Sequence, residues 1–392
     1  MSTNVASDFE ANEGDLKGLR GRSIVAAHGD MAMIGVGIVG CNYGRTVLIP
    51  AFRHDPRCEV VALGGTDAAR TADLARATNV ARGFGTWQAL VEEPAVAVVA
   101  VAVPPDLQPA IAQRALELGK PVFLEKPLAT DLVGARLILE SARKSARPTI
   151  IDFNFPELPL WQRAKAILDD GSIGRLQNVV VTWNFANQAT RLRLESWKTR
   201  DDGGGGLLGN FVSHCFYNLE WLCGPISGLT ARLFALPDRN ADGSVALALA
   251  FASGAGGSLQ VSCASFLGSG HRIELYGEDG ALILANPTAD YFRGFELRFA
   301  RQGDDALKPI AIEDADDESF SDSRISPVRR LVRRLIDACE SGGSPSPGVA
   351  EGYRVQCLID AARRAHATGR WIDVAPPVGN SPNLVSPGLS KP

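Results

Sequence analysis

The stretch Met33-Ile-Gly-Val-Gly-Ile-Val-Gly40 predicts a β-strand that ends in a glycine turn, and the fold follows from it. Four more apolar runs of strand length come after it, at 59–64, 96–103, 121–125 and 148–153. Segments with helical periodicity, such as 67–76 and 132–145, lie between these runs. Because strands that alternate with helices form parallel βαβ units, residues 31–153 are predicted to form a doubly wound, Rossmann-like α/β domain.

The second half of the chain has a different order of predicted elements, in which strands outnumber helices. One helix is predicted near 161–170, with strands at 176–184, 229–236, 244–252, 258–264, 272–276, 281–285 and 295–300. Their alternation of apolar and polar residues is typical of a sheet with one buried face. Two late helices, 326–341 and 349–368, are expected to return to the first domain or to cover the sheet. We therefore predict a C-terminal α+β domain over 154–375, with a large open, mostly antiparallel sheet.

The composition is that of an ordinary globular protein and argues against several functional classes. The 392 residues are 45% hydrophobic, and the net charge of −4 provides no broad basic field for nucleic acid. No apolar run approaches the roughly 20 residues of a membrane-spanning helix. The seven cysteines are scattered and show no spacing typical of metal ligands, so no metal site is expected.

Both ends of the chain are predicted to lie outside the folded domains. Residues 1–30 are polar with mixed charge and lack the basic-then-apolar order of a secretory signal. Residues 376–392 are rich in Pro, Ser and Gly. We therefore expect a disordered extension, a disordered tail and a cytoplasmic location.

The turn Gly37-Ile-Val-Gly40-Cys-Asn-Tyr-Gly44-Arg45 predicts a dinucleotide site. Glycines after a first strand let the backbone approach a pyrophosphate at a helix N-terminus. The match to G-x-G-x-x-G is imperfect, since Asn42 and Arg45 stand where glycine is expected. Either one residue has been lost from the turn, or Asn42 takes the central position with a positive φ. The predicted cofactor contacts here are Gly40, Asn42, Tyr43 and Gly44.

The end of the second predicted strand bears on the choice between NAD and NADP. An acid at this point would bind the adenosine ribose of NAD and repel a 2′-phosphate. The sequence has Gly65 and Thr66 there, and Asp67 is interpreted as the N-cap of the next helix. With a hydroxyl at Thr66 and a cation at Arg70, NADP is at least as good a candidate as NAD.

The segment Glu125-Lys126-Pro127 follows another predicted strand. Ligands of an open α/β sheet collect at the carboxyl ends of its strands, so a cation fixed there by a proline turn can reach a bound cofactor. A lysine after a strand is also commonly a solvated loop charge. Oxidation of an alcohol by hydride transfer needs a base and a cation that stabilises the developing alkoxide, and Lys126 is a candidate for that chemistry.

Four motifs, when they are taken together, carry a resemblance to a known protein family. They are the Gly37-Ile-Val-Gly40 turn, Val103-Pro-Pro-Asp-Leu-Gln108, Gly119-Lys-Pro-Val-Phe-Leu-Glu-Lys-Pro127, and Gly203-Gly-Gly-Gly206 with His214. Over about residues 33–375 the chain thereby resembles the glucose-fructose oxidoreductase / inositol dehydrogenase family. The resemblance implies that Lys126 contacts the reacting hydroxyl or carbonyl and that His214 transfers the proton. Cofactor contacts from Pro104, Gln108, Glu125 and Lys126 are implied as well.

The chain also departs from the pattern of that family. Asn210 stands four residues before His214, where the family often has an aspartate, and it keeps the hydrogen-bonding shape without the charge. Gln108 replaces a common histidine, and Tyr217 with Asn218 replaces an acid. We count Asn210 with Lys126 and His214 as a predicted catalytic residue. For His214 the structural alternative is a core histidine at the start of a helix.

Further residues are predicted to face a substrate because of their positions at strand ends or in the loop before the glycines. These are Asn154, Trp183, Asn184, Arg191, Arg193, Trp197, Lys198 and Arg200. A cationic loop with tryptophan could stack on a sugar, or bind the phosphates of a nucleotide-linked sugar. The same residues could also form only a solvated hairpin.

The sequence therefore predicts an NAD(P)-dependent oxidoreductase that acts on a secondary alcohol or ketone of a sugar, inositol or nucleotide-sugar. A non-catalytic NAD(P)-binding sensor on the same fold is the alternative, because the turn, Gln108 and Asn210 depart from the usual pattern. Reduction of an imine or a tetrapyrrole bond is a third reading, which the glycine run with His214 disfavours. The broad second sheet predicts a homodimer or homotetramer that packs through it.

Overall fold

A computed structural model describes residues 33–192, 194–195, 197–200, 204–237, 240–312 and 320–377. The predicted extension 1–30 and residues 378–392 of the predicted tail lie outside the described residues. Within the described part of the chain, no helix combines the length and the apolar character needed to cross a membrane.

The first domain is built on a six-stranded parallel sheet in the order β3-β2-β1-β4-β5-β6. Its strands are β1 (Ile34–Val39), β2 (Cys58–Gly64), β3 (Arg82–Phe84), β4 (Val98–Val101), β5 (Val122–Leu124) and β6 (Thr149–Ile151). A π-helical turn, Gly44–Leu48, continues into α1 (Ile49–Arg53), and the other helices are α2 (Ala68–Ala77), α3 (Trp87–Glu92), α4 (Gln108–Glu117) and α5 (Leu132–Ser145). This is the strand order of a dinucleotide-binding fold, and the predicted Rossmann-like architecture is confirmed.

The second domain is built on a sheet with nine described strands, in the order β14-β13-β12-β11-β7-β10-β9-β8-β15. Neighbouring strands are antiparallel except β7 and β10. The strands are β7 (Leu176–Asn184), β8 (Ile226–Ala235), β9 (Asp242–Phe251), β10 (Gly256–Ser262), β11 (Gly270–Gly277), β12 (Gly280–Asn286), β13 (Glu296–Arg301), β14 (Lys308–Ile310) and β15 (Ile372–Asp373). The mostly antiparallel sheet is therefore as predicted.

Helices of the second half complete both domains. They are α6 (Pro159–Asp169), α7 (Gln188–Arg191), α8 (Ser213–Cys223), α9 (Ile325–Ser341) and α10 (Val349–Thr368). Helix α9 packs Val328, Leu331 and Leu335 into the same core as Ile38 of β1, so it returns to the first domain. Helix α10 contacts β8, α5 and α8. The two roles expected for the late helices are thus divided between them: α9 returns to the first domain, and α10 lies against β8 of the second sheet.

Parallel pairing brings the carboxyl ends of four strands to one edge of the first sheet. Ala102 N donates to Val39 O at 2.8 Å, and Glu125 N donates to Val101 O at 3.0 Å. Asp152 N donates to Leu124 O at 2.9 Å. The residues that follow β1, β4, β5 and β6 therefore meet at this edge, where a doubly wound fold binds its ligand.

Candidate active site

A cleft of about 510 Å³ lies at the carboxyl edge of the first sheet. It is lined by Asn42, Tyr43, Arg45, Thr46, Ala102, Val103, Pro104, Glu125, Lys126, Asp152, Asn154, Phe155, Trp183, Trp197, Lys198, Asn210, Phe211, His214, Tyr291, Phe292 and Arg324. Both domains contribute to this lining. The volume is that of a small-molecule site, and aromatic walls with a few convergent polar groups are typical of one.

The glycine turn after β1 leaves no room for a side chain. Gly40 has φ +119°, and a Cβ placed on it would lie 2.1 Å from Ala102 O. Asn42 does not adopt a positive φ, and Tyr43 already has helical backbone angles of −59° and −40°. The proposal that Asn42 replaces a central glycine is therefore wrong, because the chain turns at Gly40 and enters the π-helical turn directly.

The residues after this turn fit a bound pyrophosphate. Asn42, Tyr43, Arg45 and Thr46 all line the cleft where the helix begins. A helix N-terminus offers backbone N–H groups and a positive dipole end, and Arg45 adds a cation. Gly44 is buried and outside the lining, and a Cβ on it would lie 2.7 Å from Ile38 Cγ2, so the absence of a side chain there lets the turn pack against β1.

Lys126 is held by the second domain. Its Nζ donates to the backbone oxygen of Asn210 at 2.7 Å and to the side-chain Oδ1 of Asn210 at 3.1 Å. Burial lowers the pKa of Lys126 to about 8, and the charge of Lys198 adds to this, while Glu125 opposes it. A lysine with such a pKa can both donate and accept a proton near neutral pH.

The glycine run positions the helix that carries Asn210 and His214. Gly206 has φ +79°, and a Cβ there would lie 2.2 Å from Asp242 Oδ1. Asp242 Oδ2 accepts a hydrogen bond from Leu208 N at 2.7 Å. This anchor fixes the π-helical turn Leu208–Val212 that leads into α8.

His214 lines the cleft and is 7% exposed. Its ring meets Phe155 edge to face at 5.2 Å, and its Nδ1 is buried without a hydrogen-bond partner among the described residues. Burial lowers the pKa of His214 well below its ordinary value, and the charge of Lys126 and the nearby His271 act in the same direction. The imidazole is therefore neutral at physiological pH and can accept a proton.

Four residues predicted to face a substrate, Asn154, Trp183, Trp197 and Lys198, line the cleft. The Lys198 Nζ lies 5.6 Å from the centre of the Trp197 ring. Trp183 stacks on His271 at 4.2 Å, with the two rings 8° from parallel. The aromatic wall is therefore closely packed on the Trp183 side and carries a cation on the Trp197 side.

Other predicted site residues lie elsewhere. Gln108 is fully buried, and its Nε2 donates to Pro127 O at 2.7 Å, so it supports the lysine turn instead of facing the cleft. Asn184, Arg191 and Arg200 are not part of the lining. Arg193 lies outside the described residues.

Thr66 and Arg70 are exposed beyond the end of β2 and outside the cleft lining. Asp67 caps α2, as predicted, by accepting a hydrogen bond from Arg70 N at 2.9 Å. Burial raises the pKa of the Cys41 thiol, while the charges of Arg70 and Arg45 oppose that rise. Cys41 Sγ donates to Gly64 O at the end of β2 at 3.6 Å, so the turn after β1 lies against the end of β2.

Sequence reasoning missed several residues of the lining, namely Arg45, Thr46, Asp152, Phe155, Phe211, Tyr291, Phe292 and Arg324. Tyr43 Oη donates to Asp152 Oδ2 at 2.6 Å, across 109 residues of chain. The sequence feature from which Asp152 could have been predicted is an acid at the end of the apolar run 148–153. No cluster of His, Cys, Asp or Glu that could hold a metal occurs among the described residues.

Comparison with known proteins gives the same family in both domains. Residues 34–153 match the model of an oxidoreductase family with an NAD-binding Rossmann fold, and residues 161–283 match the GFO/IDH/MocA C-terminal domain. An uncharacterized oxidoreductase of Synechocystis sp. is 28% identical over 86% of this chain and 95% of its own length. Levoglucosan dehydrogenase of Pseudarthrobacter phenanthrenivorans is 24% identical over 77% of this chain and 86% of its own length.

A solved structure supports the fold assignment. A levoglucosan dehydrogenase in complex with NADH and levoglucosan superposes with a TM-score of 0.79, covering 87% of this chain and 99% of that chain at 22% identity. At this identity the likeness concerns the fold. The resemblance inferred from the motifs is confirmed, and the chain belongs to the GFO/IDH/MocA family of NAD-binding oxidoreductases, in which its relatives include a sugar dehydrogenase.

Proposed function

We propose that this protein is an NAD(P)-dependent dehydrogenase or reductase that acts on a secondary alcohol or ketone of a sugar-like substrate. The observation that carries the proposal is the convergence of Lys126 and His214 on one cleft, with Lys126 held by two hydrogen bonds that it donates to Asn210. The two groups come from different domains. They are the pair that the family resemblance assigns to this reaction.

The ionisation of the two groups suits proton transfer at a hydroxyl or carbonyl oxygen. Lys126, with a pKa near 8, is mostly protonated at pH 7 and can donate a hydrogen bond to that oxygen. His214 is neutral and can accept the hydroxyl proton during oxidation. The cation of Lys126 stabilises negative charge on the oxygen while the proton leaves.

The residues after β1 fit a nicotinamide dinucleotide. Gly40 permits close backbone approach, and Asn42, Tyr43 and Arg45 surround the helix start. When bound, the nicotinamide accepts or supplies the hydride at the carbinol carbon. We propose that Thr66 and Arg70 face the adenosine ribose. No acid stands at the end of β2, so NADP is at least as good a candidate as NAD.

The substrate class follows from the cleft wall and from one relative. Trp197 offers a face on which a sugar ring can stack, and Asn154 has a buried Oδ1 without a partner in the described residues. A relative acts, by its name, on levoglucosan. We therefore propose a free sugar, an inositol or a nucleotide-sugar, with Lys198 beside the reacting region.

The second sheet is the proposed assembly surface. The outward side chains of β9 are small, at Ala246, Ala248 and Ala250, and β10 adds Ser258 and Gln260. A sheet face with small side chains can pack against its own copy in a symmetric dimer or tetramer. We propose a cytoplasmic homo-oligomer. A strictly monomeric mass in light scattering would contradict the assembly.

The test is a titration of the purified protein with NADH and NADPH, followed by fluorescence. A panel of sugars, inositols and nucleotide-sugars is then screened by nicotinamide absorbance. The Lys126→Met variant should keep cofactor binding and lose turnover by about a hundredfold or more, because it lacks the proton donor and the cation. Lys308→Met, which alters an exposed lysine paired with Asp304, is the matched control and should behave as wild type.

The outcomes separate the proposal from its alternative. Turnover that depends on Lys126 supports the dehydrogenase. Tight cofactor binding without turnover on any panel member would favour a sensor. Failure to bind either nucleotide would contradict both functions.

A further inference from the structure

Asp152 is a buried carboxyl group at the floor of the cleft. It follows β6, is 1% exposed, and lines the cleft beside Lys126. Its Oδ2 accepts the hydroxyl hydrogen of Tyr43 at 2.6 Å. Its Oδ1 has no partner among the described residues that could donate a hydrogen bond.

The neighbour of Asp152 on the adjacent strand is another acid. Glu125 follows β5, and its carboxyl group interacts with that of Asp152. Asp152 forms no ion pair within the described part of the chain, and Arg324 above the Tyr43 ring is paired with Asp322. Burial raises the pKa of Asp152 well above its ordinary value, and the charge of Glu125 adds to the rise. A buried carboxyl group and a half-buried one beside it cannot both be ionised without a cost.

Building on the proposed function, we propose that Asp152 is a positioning residue that acts as a neutral carboxylic acid. It accepts a hydrogen bond from Tyr43 and donates its own proton to Glu125. A carboxyl group that donates and accepts in this way joins the glycine turn after β1 to the Glu-Lys-Pro turn after β5. Asp152 thereby sets the position of Lys126 relative to the bound nicotinamide dinucleotide.

The chain of contacts reaches Lys126 through its backbone. Glu125 Oε2 accepts a hydrogen bond from Lys126 N at 3.1 Å. The network is therefore the hydrogen bond from Tyr43 to Asp152 and the one from Lys126 N to Glu125, joined by the proposed link from Asp152 to Glu125. Tyr43 lies in the turn that faces the cofactor, so cofactor binding and the placement of Lys126 share one network.

The test compares three variants of the full-length protein by NADH and NADPH titration. Asp152→Asn has the same shape and can accept from Tyr43 through its oxygen and donate to Glu125 through its amide. Its dissociation constant should stay within about threefold of wild type. Asp152→Leu and Tyr43→Phe each remove links of the network and should weaken binding by about tenfold. The double variant Asp152→Leu/Tyr43→Phe should bind the nucleotides no more weakly than the single variant with the lower affinity, because both substitutions break one network.

Thermal unfolding confirms that each variant is folded, and Asp152→Ser replaces the leucine variant if that one does not fold. Additive losses in the double variant, or wild-type affinity in Asp152→Leu, would overturn the inference. A tenfold loss in Asp152→Asn would also overturn it, since it would show that the site uses an ionised Asp152. If the wild-type protein binds neither nucleotide, the proposed function itself is contradicted. That result is distinct from the variant results that would overturn the role of Asp152.

Discussion

Lys126 Nζ lies 2.7 Å from the backbone oxygen of Asn210 and 3.1 Å from its Oδ1, so a residue at a strand end of the first domain is fixed by the second domain. The contact joins residues that are 84 positions apart in the chain. Asn210 offers two neutral acceptors and no charge. Burial therefore dominates the ionisation of Lys126, and its pKa falls to about 8.

The first prediction concerns the pH dependence of turnover. The pKa of Lys126 is lowered, so the amine is protonated below about pH 8 and neutral above it. In alcohol oxidation His214 accepts the proton and the Lys126 cation stabilises the negative charge on the oxygen, so kcat should be constant below pH 8 and fall above it as the cation is lost. Ketone reduction needs the protonated amine and should fall over the same range. The pKa of His214 is far below 6.5, so no inflection near that value is expected.

Profiles of kcat against pH in both directions check this prediction. An inflection near the ordinary lysine value of 10.5 would contradict it, because it would mean that Lys126 is solvated during catalysis.

The second prediction uses the neutral partner of Lys126. In Asn210→Asp a carboxylate replaces the amide next to the Lys126 ammonium group, and attraction between the charges should raise the pKa of Lys126 by roughly one unit or more. The inflection in the oxidation profile should move from about pH 8 to about pH 9 or above. Asn178→Asp adds the same charge at an exposed position on β7 and should leave the profile unchanged. An unmoved inflection in Asn210→Asp would mean that Lys126 does not govern the profile.

Local patterns in the sequence predicted the strands well. The apolar runs before Gly40, Lys126 and Asn154 each became a strand of the first sheet, because buried parallel strands are continuously apolar. The short edge strand β3 (Arg82–Phe84) was not predicted, since it is three residues long and only partly buried. Helix α4 was missed as well. It begins at Gln108, within a segment that reads as a loop rich in proline.

The site was harder to predict than the fold, because its contacts join distant segments. Lys126 and His214 could be named from motifs. The hydrogen bond between Tyr43 and Asp152, in contrast, joins residues 109 positions apart in the chain and has no local sequence signature. Gln108 illustrates the converse error. The family resemblance implied contact with a cofactor, while the Gln108 amide donates to the buried Pro127 carbonyl.

The third prediction tests the turn after β1. Gly40→Ala places a Cβ 2.1 Å from Ala102 O at a residue with φ +119°, so the turn must move away from the end of β4. We expect a loss of about 1–3 kcal/mol in the free energy of unfolding and weaker NAD(P)H binding. Denaturant titration and nucleotide fluorescence measure the two effects. Gly256→Ala is the control, because no atom lies within 4 Å of a Cβ at that position of β10. Wild-type affinity in Gly40→Ala would show that the turn does not contact the nucleotide.

The fourth prediction addresses the choice of nucleotide. Arg70 is exposed beyond the end of β2, where a guanidinium group can bind a 2′-phosphate. Arg70→Ala should weaken NADPH binding by about tenfold and leave NADH binding nearly unchanged. The matched control is Arg76→Ala on the same helix, where the arginine pairs with Asp73. Equal effects of Arg70→Ala on both nucleotides would mean that Arg70 does not read the 2′ position.

The last prediction concerns the ion pair that ties α10 to α8. Arg354 and Glu220 are 5% and 2% exposed, and Arg354 Nη2 donates to Glu220 Oε1 at 2.7 Å and to Ile226 O at 2.7 Å. Arg354→Met leaves the Glu220 carboxylate buried without its cation, which should lower the free energy of unfolding by about 3–5 kcal/mol. Denaturant titration measures this loss.

Two further variants show whether the unpaired charge is the cause. Adding Glu220→Gln to Arg354→Met removes the buried charge and should restore part of the lost stability. Arg175→Met breaks an exposed pair with Glu278 and should cost less than about 1 kcal/mol. If Arg354→Met costs no more than Arg175→Met, the buried pair does not hold α10 against α8. The attachment of that helix would then rest on apolar contacts such as those of Val355, Leu358 and Ile359.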